Sequence, residues 1–298
     1  MSPAEYLELS FNLTRNEFPE VEAILERADA LSVTTMDAED VPILEPKPGE
    51  TPLWAELKLT ALFPLNKNRA KIERALQFKL GERSLQWQEL AEQDWERAWL
   101  KDYEPIQFGQ RLWVGPQDFQ APDSIQAKLF LDPGLAFGTG THPTTYLCLE
   151  WLSSAMIQDK TILDFGCGSG ILALAALKLG AQSIIGTDID PQALDASREN
   201  AKRNQIDAKY CTWTLWPTER SQDETVDILI ANILANPLIE LAPTLISYLK
   251  PGSMIVLSGI LEEQALEVQK AYLTDIHWTE TKSKDGWIRL VGQKKEKS

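Results

Sequence analysis

The sequence is poor in cysteine, in long apolar runs and in basic residues. Its three cysteines, Cys148, Cys167 and Cys211, are odd in number and widely spaced, which argues against a disulfide framework and against a zinc cluster. No run approaches the ~20 apolar residues that a membrane-spanning helix needs, and the first residues are acidic where a signal peptide would be basic. We therefore expect a cytoplasmic protein with no membrane partner.

The low content of basic residues also limits the choice of partner. There are 29 lysines and arginines against 44 aspartates and glutamates, which gives a net charge of −15 at pH 7. Because nucleic-acid affinity depends largely on lysine and arginine, this balance disfavours direct nucleic-acid binding. Residues 1–56 hold 13 acidic and 3 basic residues. This excess of negative charge indicates either binding of a basic protein partner or a contribution to solubility alone. The basic stretch from Lys67 to Arg83 fits either an RNA contact or a solvated helix face.

The length and the hydrophobic pattern predict two domains. Strand, helix and strand patterns follow one another twice in residues 1–92, an order typical of a small α+β ferredoxin-like domain. The segments are strands at 4–13, 31–36, 53–62 and 85–87, and helices at 18–25 and 68–80. Residues 93–104 predict a helical linker that ends before Pro105.

Residues 105–298 alternate strands and helices, which predicts a doubly wound, parallel α/β sheet. Strands are predicted at 161–165, 183–187, 209–213, 226–231 and 254–260, and helices at 171–179, 191–204, 234–250 and 262–273. The pattern changes at the end, where strand-like segments 276–281 and 287–291 flank a turn around Gly286 and predict an antiparallel hairpin. This combination resembles the class I (Rossmann-like) methyltransferase sheet.

The turn between the strand at 161–165 and the following helix is rich in glycine. Its glycines, at Gly166, Gly168 and Gly170, are spaced G-x-G-x-G, whereas a dinucleotide site needs G-x-G-x-x-G. Asp164 precedes them, and its carboxylate would repel a diphosphate but suits an ammonium group. Asp188 ends the next strand, at the position where an acidic residue of nucleotide-binding folds accepts hydrogen bonds from the ribose hydroxyls. Although such turns also occur without a ligand, these residues together predict S-adenosylmethionine.

Four segments resemble one family in particular. They are Asp132 to Thr145, Asp164 to Gly170, Gly186 to Ala193 and Ala231 to Leu238, and together they resemble the bacterial PrmA methyltransferases. These enzymes methylate the eleventh protein of the large ribosomal subunit. The stretch Phe137 to Thr145 is the most particular to the family. The region before residue 105 matches the family's substrate-recognition domain in architecture more than in motif, which implies that role for residues 1–92.

The resemblance implies a protein N-methyltransferase that uses S-adenosyl-L-methionine, requires no metal and acts on a basic large-subunit ribosomal protein. It places cofactor contacts on Thr145, Gly166, Asp188 and Asn232, beside the turn residues already named. Asn232 is also the expected catalytic residue, because its amide both donates and accepts and could orient a substrate amine. The methylated groups would be lysine side chains, the N-terminal amine or both. The oligomeric state stays open, with a monomer as the default.

Two residues and two other functions complete these expectations. His142 could serve as a general base, but a histidine before a proline at a helix start is more often a cap or packing residue, and we expect that role. Cys167 is expected to pack rather than to act as a nucleophile. A methyltransferase of glutamine or of rRNA bases would carry Asn-Pro-Pro-aromatic where this chain has Asn232-Ile233-Leu234. A non-catalytic, cofactor-binding assembly factor would have lost motif residues in the glycine turn or in the loop that ends at Thr145. The sequence shows no such loss.

Overall fold

The computed structural model describes residues 4–38, 54–81, 83–91, 104–117, 119–120, 125–131, 140–217 and 225–296. By its internal contacts the chain divides into two compact units, residues 1–98 and 99–298. The predicted linker helix falls almost entirely on residues outside the described ranges. The same is true of residues 132–139, the first part of the loop that most resembles the family.

The first unit is built in the order strand, helix, strand, strand, helix, strand. The elements are β1 (Ala4–Thr14), α1 (Phe18–Arg27), β2 (Ser32–Asp37), β3 (Glu56–Pro64), α2 (Arg69–Leu80) and β4 (Gln86–Ala91). Within the described residues the four strands pair antiparallel in the order β2-β3-β1-β4. This arrangement confirms the predicted ferredoxin-like α+β fold.

Alternation in the strands explains why both helices lie on one face of this sheet. Successive side chains of a strand point to opposite faces, and every second residue of β1 from Leu7 to Leu13 is buried. The helices supply the other half of the core through Leu25 of α1 and Leu76 of α2, which are fully buried. Burying one such leucine contributes roughly 1.5–3 kcal/mol.

The basic stretch and the acidic first segment meet inside this unit. Lys67 lies 2.6 Å from Asp29, Arg83 lies 2.7 Å from Glu17, and Lys79 pairs with Glu20. The Thr14 N–H and the Arg83 guanidinium hold the pKa of the Glu17 carboxyl below its usual value, against a smaller effect of burial. Part of the negative charge counted in the sequence is therefore paired within the fold, and these basic side chains contact carboxylates at its surface.

The second unit begins with a small sheet, formed by β5 (Ile106–Phe108), β6 (Leu112–Gly115) and β7 (Ala127–Phe130). The alternating part follows as α3 (Pro143–Ser154), β8 (Thr161–Phe165), α4 (Ile171–Lys178), β9 (Ser183–Asp188), α5 (Pro191–Arg203), β10 (Cys211–Leu215), β11 (Val226–Asn232), α6 (Ala235–Glu240), α7 (Ala242–Ser247), β12 (Leu249–Leu261), α8 (Ala265–Ala271), β13 (Ile276–Lys284) and β14 (Trp287–Lys294). Among the described residues, no helix is long and apolar enough to cross a membrane.

The large sheet has the order β10-β9-β8-β11-β12-β14-β13 in the described part of the chain. Strands β8 to β12 pair parallel, and β14 runs antiparallel between β12 and β13. The order confirms the predicted class I methyltransferase sheet with its terminal hairpin. Strand order reverses between β8 and β11, and ligands of open α/β sheets bind at such a switch point, beyond the carboxyl ends of the strands.

One predicted helix differs from the structure. The segment 234–250 was expected to be a single helix, but it forms α6 and α7, and β12 already starts at Leu249. Pro243 explains the break, because proline has no N–H to donate to the carbonyl four residues earlier, at Ile239, and its ring collides with that carbonyl. Apolar spacing alone could not separate one long helix from two short ones.

Candidate active site

Three neighbouring strands bring the predicted site residues to one edge of the large sheet. Asp164 is the penultimate residue of β8, Asp188 is the last residue of β9, and Asn232 is the last residue of β11. Because β9, β8 and β11 are adjacent and parallel, their carboxyl ends meet at the same edge. The sheet thus gathers residues that are up to 68 positions apart in the sequence, counted from Asp164 to Asn232.

The glycine turn is held by backbone hydrogen bonds to the next strand. The Gly166 N–H donates to the Thr187 carbonyl over 2.8 Å, and Gly166 and Gly170 both have φ near +77°, a region that favours glycine. A Cβ on Gly170 would lie 2.8 Å from the Ser197 hydroxyl of α5. Gly170 therefore allows α4 to start tightly against α5, a packing role that the sequence pattern did not separate from ligand binding.

Two backbone amides fix the carboxylate of Asp188 beside the glycine turn. One carboxylate oxygen accepts from the Gly168 N–H over 2.9 Å, and the other accepts from the Asp190 N–H over 3.1 Å. Each oxygen of an ionised carboxylate can accept a second hydrogen bond. The half-buried carboxylate is thus pre-oriented and keeps capacity for hydroxyl donors.

Asp164 is buried, and no ion pair to it is found among the described residues. Its side chain is 1% exposed, one oxygen accepts from the Ala173 N–H of α4 over 3.1 Å, and the other has no hydrogen-bond partner among the described residues. Burial raises the pKa of this carboxyl to about 7, and the nearby Asp188 charge adds to the effect. A buried carboxyl with an unused oxygen is suited to a cationic group that arrives with a ligand.

Asn232 and Thr145 are in direct contact. The Asn232 side-chain N–H donates to the hydroxyl of Thr145, in the first turn of α3, over 3.2 Å. Thr145 is 1% exposed, and the Asn232 amide oxygen is buried with no partner in the described part of the chain. The structure therefore brings together two residues that the sequence proposed separately, and it leaves one amide acceptor unused.

His142 caps α3, as expected. Its Nδ1 accepts from the Thr144 N–H over 3.4 Å and lies 2.8 Å from the Thr144 hydroxyl. The ring also packs edge-on against Trp287, with 5.1 Å between the ring centroids. Desolvation lowers the pKa of the imidazole, which keeps Nδ1 available as an acceptor at neutral pH.

We expect His142→Ala to destabilise the protein by ~1 kcal/mol, the usual effect of losing a helix cap, and to lower kcat less than tenfold. The matched variant His142→Asn keeps a capping acceptor and should restore stability. Thermal unfolding and steady-state methyl transfer report these effects. A general base would contribute about 10²–10⁴ in rate, so a loss of that size in both variants, with cofactor binding intact, would contradict the capping role.

Cys167 behaves as a small packing residue. The side chain is 5% exposed, and its sulfur lies 3.7 Å from the Ser197 hydroxyl. Burial raises the pKa of the thiol, so the thiolate that a nucleophile needs is disfavoured. The expectation that Cys167 packs is confirmed.

Comparisons with known proteins show the family of this chain. The family model described as ribosomal protein L11 methyltransferase (PrmA) matches residues 5–295. Relatives of that name from Pseudomonas paraeruginosa and Azotobacter vinelandii are 46% and 48% identical, covering 97% and 96% of this chain and 99% and 98% of theirs. This chain belongs to the PrmA family. A crystal structure of ribosomal protein L11 methylase from Lactobacillus delbrueckii subsp. bulgaricus is 34% identical with a TM-score of 0.58, covering 65% of this chain and all of that one.

As a member of the PrmA family, the chain is a methyltransferase. Sequence reasoning missed one group of residues in this methyltransferase site, the Ser258-Gly259 pair of β12, which touches both Ile233 and the start of α3. A signal was present, because an isolated glycine inside a strand pattern indicates a bulge or a close backbone approach. The apolar run around it concealed that signal.

Proposed function

We propose that this protein transfers methyl groups from S-adenosyl-L-methionine to amino groups of ribosomal protein L11, on lysine side chains, the N-terminal amine or both. One observation carries the proposal. Asp164 and Asn232, on adjacent strands, each present a buried oxygen that has no partner among the described residues. The first suits the ammonium of the cofactor, and the second suits a substrate amine.

The residues at the sheet edge fit the parts of the cofactor. Asp164 would hold the ammonium group, the turn at Gly166 and Gly168 would lie along the amino-acid part, and Asp188 would accept from the ribose hydroxyls. Thr145 would lie near the amino-acid end. When bound, S-adenosylmethionine supplies an electrophilic methyl group, and no metal is needed for that chemistry.

The protein must present the amine neutral and aligned. A free lysine has a pKa of ~10.4 and an α-amino group ~7.7–8.0, and desolvation in the site would lower both. The unused Asn232 oxygen would accept an N–H of the amine and point its lone pair at the methyl group. Since His142 is engaged as a cap, alignment rather than a general base would supply most of the acceleration.

We assign residues 1–92 to substrate docking, residues 93–104 to the linker and residues 105–298 to catalysis. The first unit has its own core, and its acidic side chains include Glu22 and Glu26 of α1, for which no ion pair is found in the described residues. These carboxylates, with the acidic segment 39–50, favour a basic partner. A ribosomal substrate would place the reaction in the cytoplasm.

Mass spectrometry of purified large-subunit ribosomal proteins, after incubation with labelled S-adenosylmethionine, tests the proposal. We expect label on L11 alone, on amines, and a loss of about 10²-fold or more in kcat for Asn232→Ala. Asn204→Ala is a matched control, because Asn204 is a buried asparagine whose side chain bonds the Phe130 backbone far from the sheet edge. Label on RNA, or an unchanged rate in Asn232→Ala, would contradict the proposal.

A further inference from the structure

Strand β12 contains a bulge beside Asn232. Leu257 pairs with Leu290 of β14, but Ile260 pairs with Ile288, so Ser258 and Gly259 together face the single residue Arg289. Gly259 has a φ of +83°, a backbone conformation that favours glycine. We call these two residues the β12 bulge. Bulges of this kind often redirect side chains next to active sites.

The backbone after Asn232 rests directly on Gly259. A Cβ added to Gly259 would lie 2.2 Å from the Ile233 carbonyl oxygen and 2.7 Å from the carbonyl carbon. Ser258, the preceding residue, is the direct sheet neighbour of Asn232. The bulge therefore sets how closely the segment carrying Asn232 can approach β12, and a side chain at 259 would push that segment away by about 1 Å to regain ordinary contact distance.

The same bulge holds the helix that carries Thr145. The Ser258 hydroxyl is 3.3 Å from the Thr144 carbonyl and 3.1 Å from the Ile288 carbonyl, and it donates to either. Opposite the bulge, Arg289 is 2% exposed and donates from Nη1 to the Leu147 carbonyl over 2.8 Å. Both contacts reach backbone carbonyls of the first turns of α3.

We infer that the β12 bulge positions the Asn232–Thr145 pair. One side of the bulge fixes the backbone next to Asn232, and the other side, with Arg289, fixes the helix turn of Thr145. The distance between the two side chains is thus defined by a third element that touches no reacting group. This inference rests on the proposed function only in assigning the pair to methyl transfer.

Gly259→Ala tests this role, with Gly286→Ala as its matched control. Gly286 has a φ of +78°, and a Cβ there would meet nothing within 4 Å, so both variants carry similar backbone strain but only one displaces Ile233. We expect Gly259→Ala to reduce kcat for L11 methylation about 100-fold, the usual effect of misplacing a reacting group by 1 Å. KM for L11 should change little, and Gly286→Ala should resemble the wild type.

A second readout does not depend on activity. The ¹⁵N side-chain amide resonance of Asn232, assigned through its loss in Asn232→Ser, should shift in Gly259→Ala and stay in place in Gly286→Ala. An unshifted resonance in folded Gly259→Ala overturns the inference, whatever the rate. A shifted resonance in a protein whose wild type does not methylate L11 would support the positioning role and reject the proposed function.

If Gly259→Ala does not fold, Ser258→Ala examines the same element without adding atoms. Its control is Ser253→Ala, because Ser253 is also buried on β12 and donates to the Val226 carbonyl over 2.7 Å, at the other end of the strand. We expect the Asn232 resonance to shift and kcat to fall in Ser258→Ala but not in Ser253→Ala. Equal behaviour of the two variants would overturn the inference.

Discussion

The Asp164→Asn variant is expected to unfold at a higher temperature than the wild type above pH 7 while losing its affinity for S-adenosylmethionine. The wild-type carboxyl is buried, one of its oxygens has no partner among the described residues, and burial raises its pKa to about 7. Above that pH the folded protein without cofactor holds an uncompensated charge. An asparagine removes the charge and keeps an oxygen for the Ala173 N–H, but it cannot pair with an ammonium group.

The sign of the pH dependence follows from the direction of the shift. A carboxyl whose pKa is raised in the folded state contributes its full stability below about pH 4, the unfolded value, and loses it as the pH rises through about 7. We therefore expect no gain for Asp164→Asn near pH 4 and a gain on the order of 2–4 kcal/mol at pH 8. That corresponds to roughly 5–10 °C in Tm for a unit of the size of residues 99–298, which contains Asp164.

Asp227→Asn is the matched control, with the opposite sign. Although burial alone would raise its pKa, hydrogen bonds from Lys250 and from the Thr161 N–H lower it below the usual value. Its removal should therefore destabilise the protein above about pH 4. Calorimetry from pH 4 to 8, with titration of cofactor into each variant, measures both effects. A Tm for Asp164→Asn at pH 8 that is equal to or below the wild type would contradict our account of this buried charge.

Deletion of residues 1–92 is expected to spare cofactor binding and to reduce methylation of intact L11 by roughly 10²–10⁴-fold, the range by which a linked docking site raises the effective concentration of a partner. The second unit should survive the deletion, because its two apolar clusters lie on either side of the large sheet and contain only its own residues. Differential scanning calorimetry and cofactor titration would show whether it does.

A small amine substrate distinguishes docking from chemistry in this experiment. A short lysine peptide, too small to reach a docking surface, should be methylated equally slowly by the full chain and by the truncated chain. Because salt screens attraction between charges, kcat/KM of the full chain for L11 should also fall as salt is raised. Wild-type rates on intact L11 by the truncated protein would exclude the docking role of residues 1–92.

Much of the fold could be predicted because strands and helices differ in their apolar period. The parallel large sheet with its antiparallel end was accessible from alternation and from the terminal hairpin at Gly286, and the ferredoxin-like order from two repeated patterns. The break at Pro243 was missed because the prediction followed apolar spacing alone, although a proline inside a helical pattern signals the end of a helix. The ion pairs that Lys67, Lys79 and Arg83 form with carboxylates of the first unit were also missed, because charge counts contain no information on which side chains face each other.

The candidate site was accessible to the same degree. Asp164 and Asp188 could be proposed from the glycine turn and the end of the following strand, because strand ends in a parallel sheet converge. Asn232 came from the resemblance to the family. The unpartnered oxygens of Asp164 and Asn232 could not be predicted, because burial and hydrogen bonding appear only in three dimensions. The β12 bulge was hidden for a similar reason, since its contact with Ile233 joins residues that are 26 positions apart.

The position of Asp164 has a consequence for turnover. In the proposed site this carboxyl contacts the ammonium end of the cofactor, which is the same before and after the methyl group leaves. Its contribution would therefore be uniform binding, which lowers KM and tightens the demethylated product equally without raising kcat. Selective binding of the transition state would then depend on Asn232, on the adjacent strand. Strong inhibition by the demethylated product would be the kinetic consequence of the buried charge of Asp164.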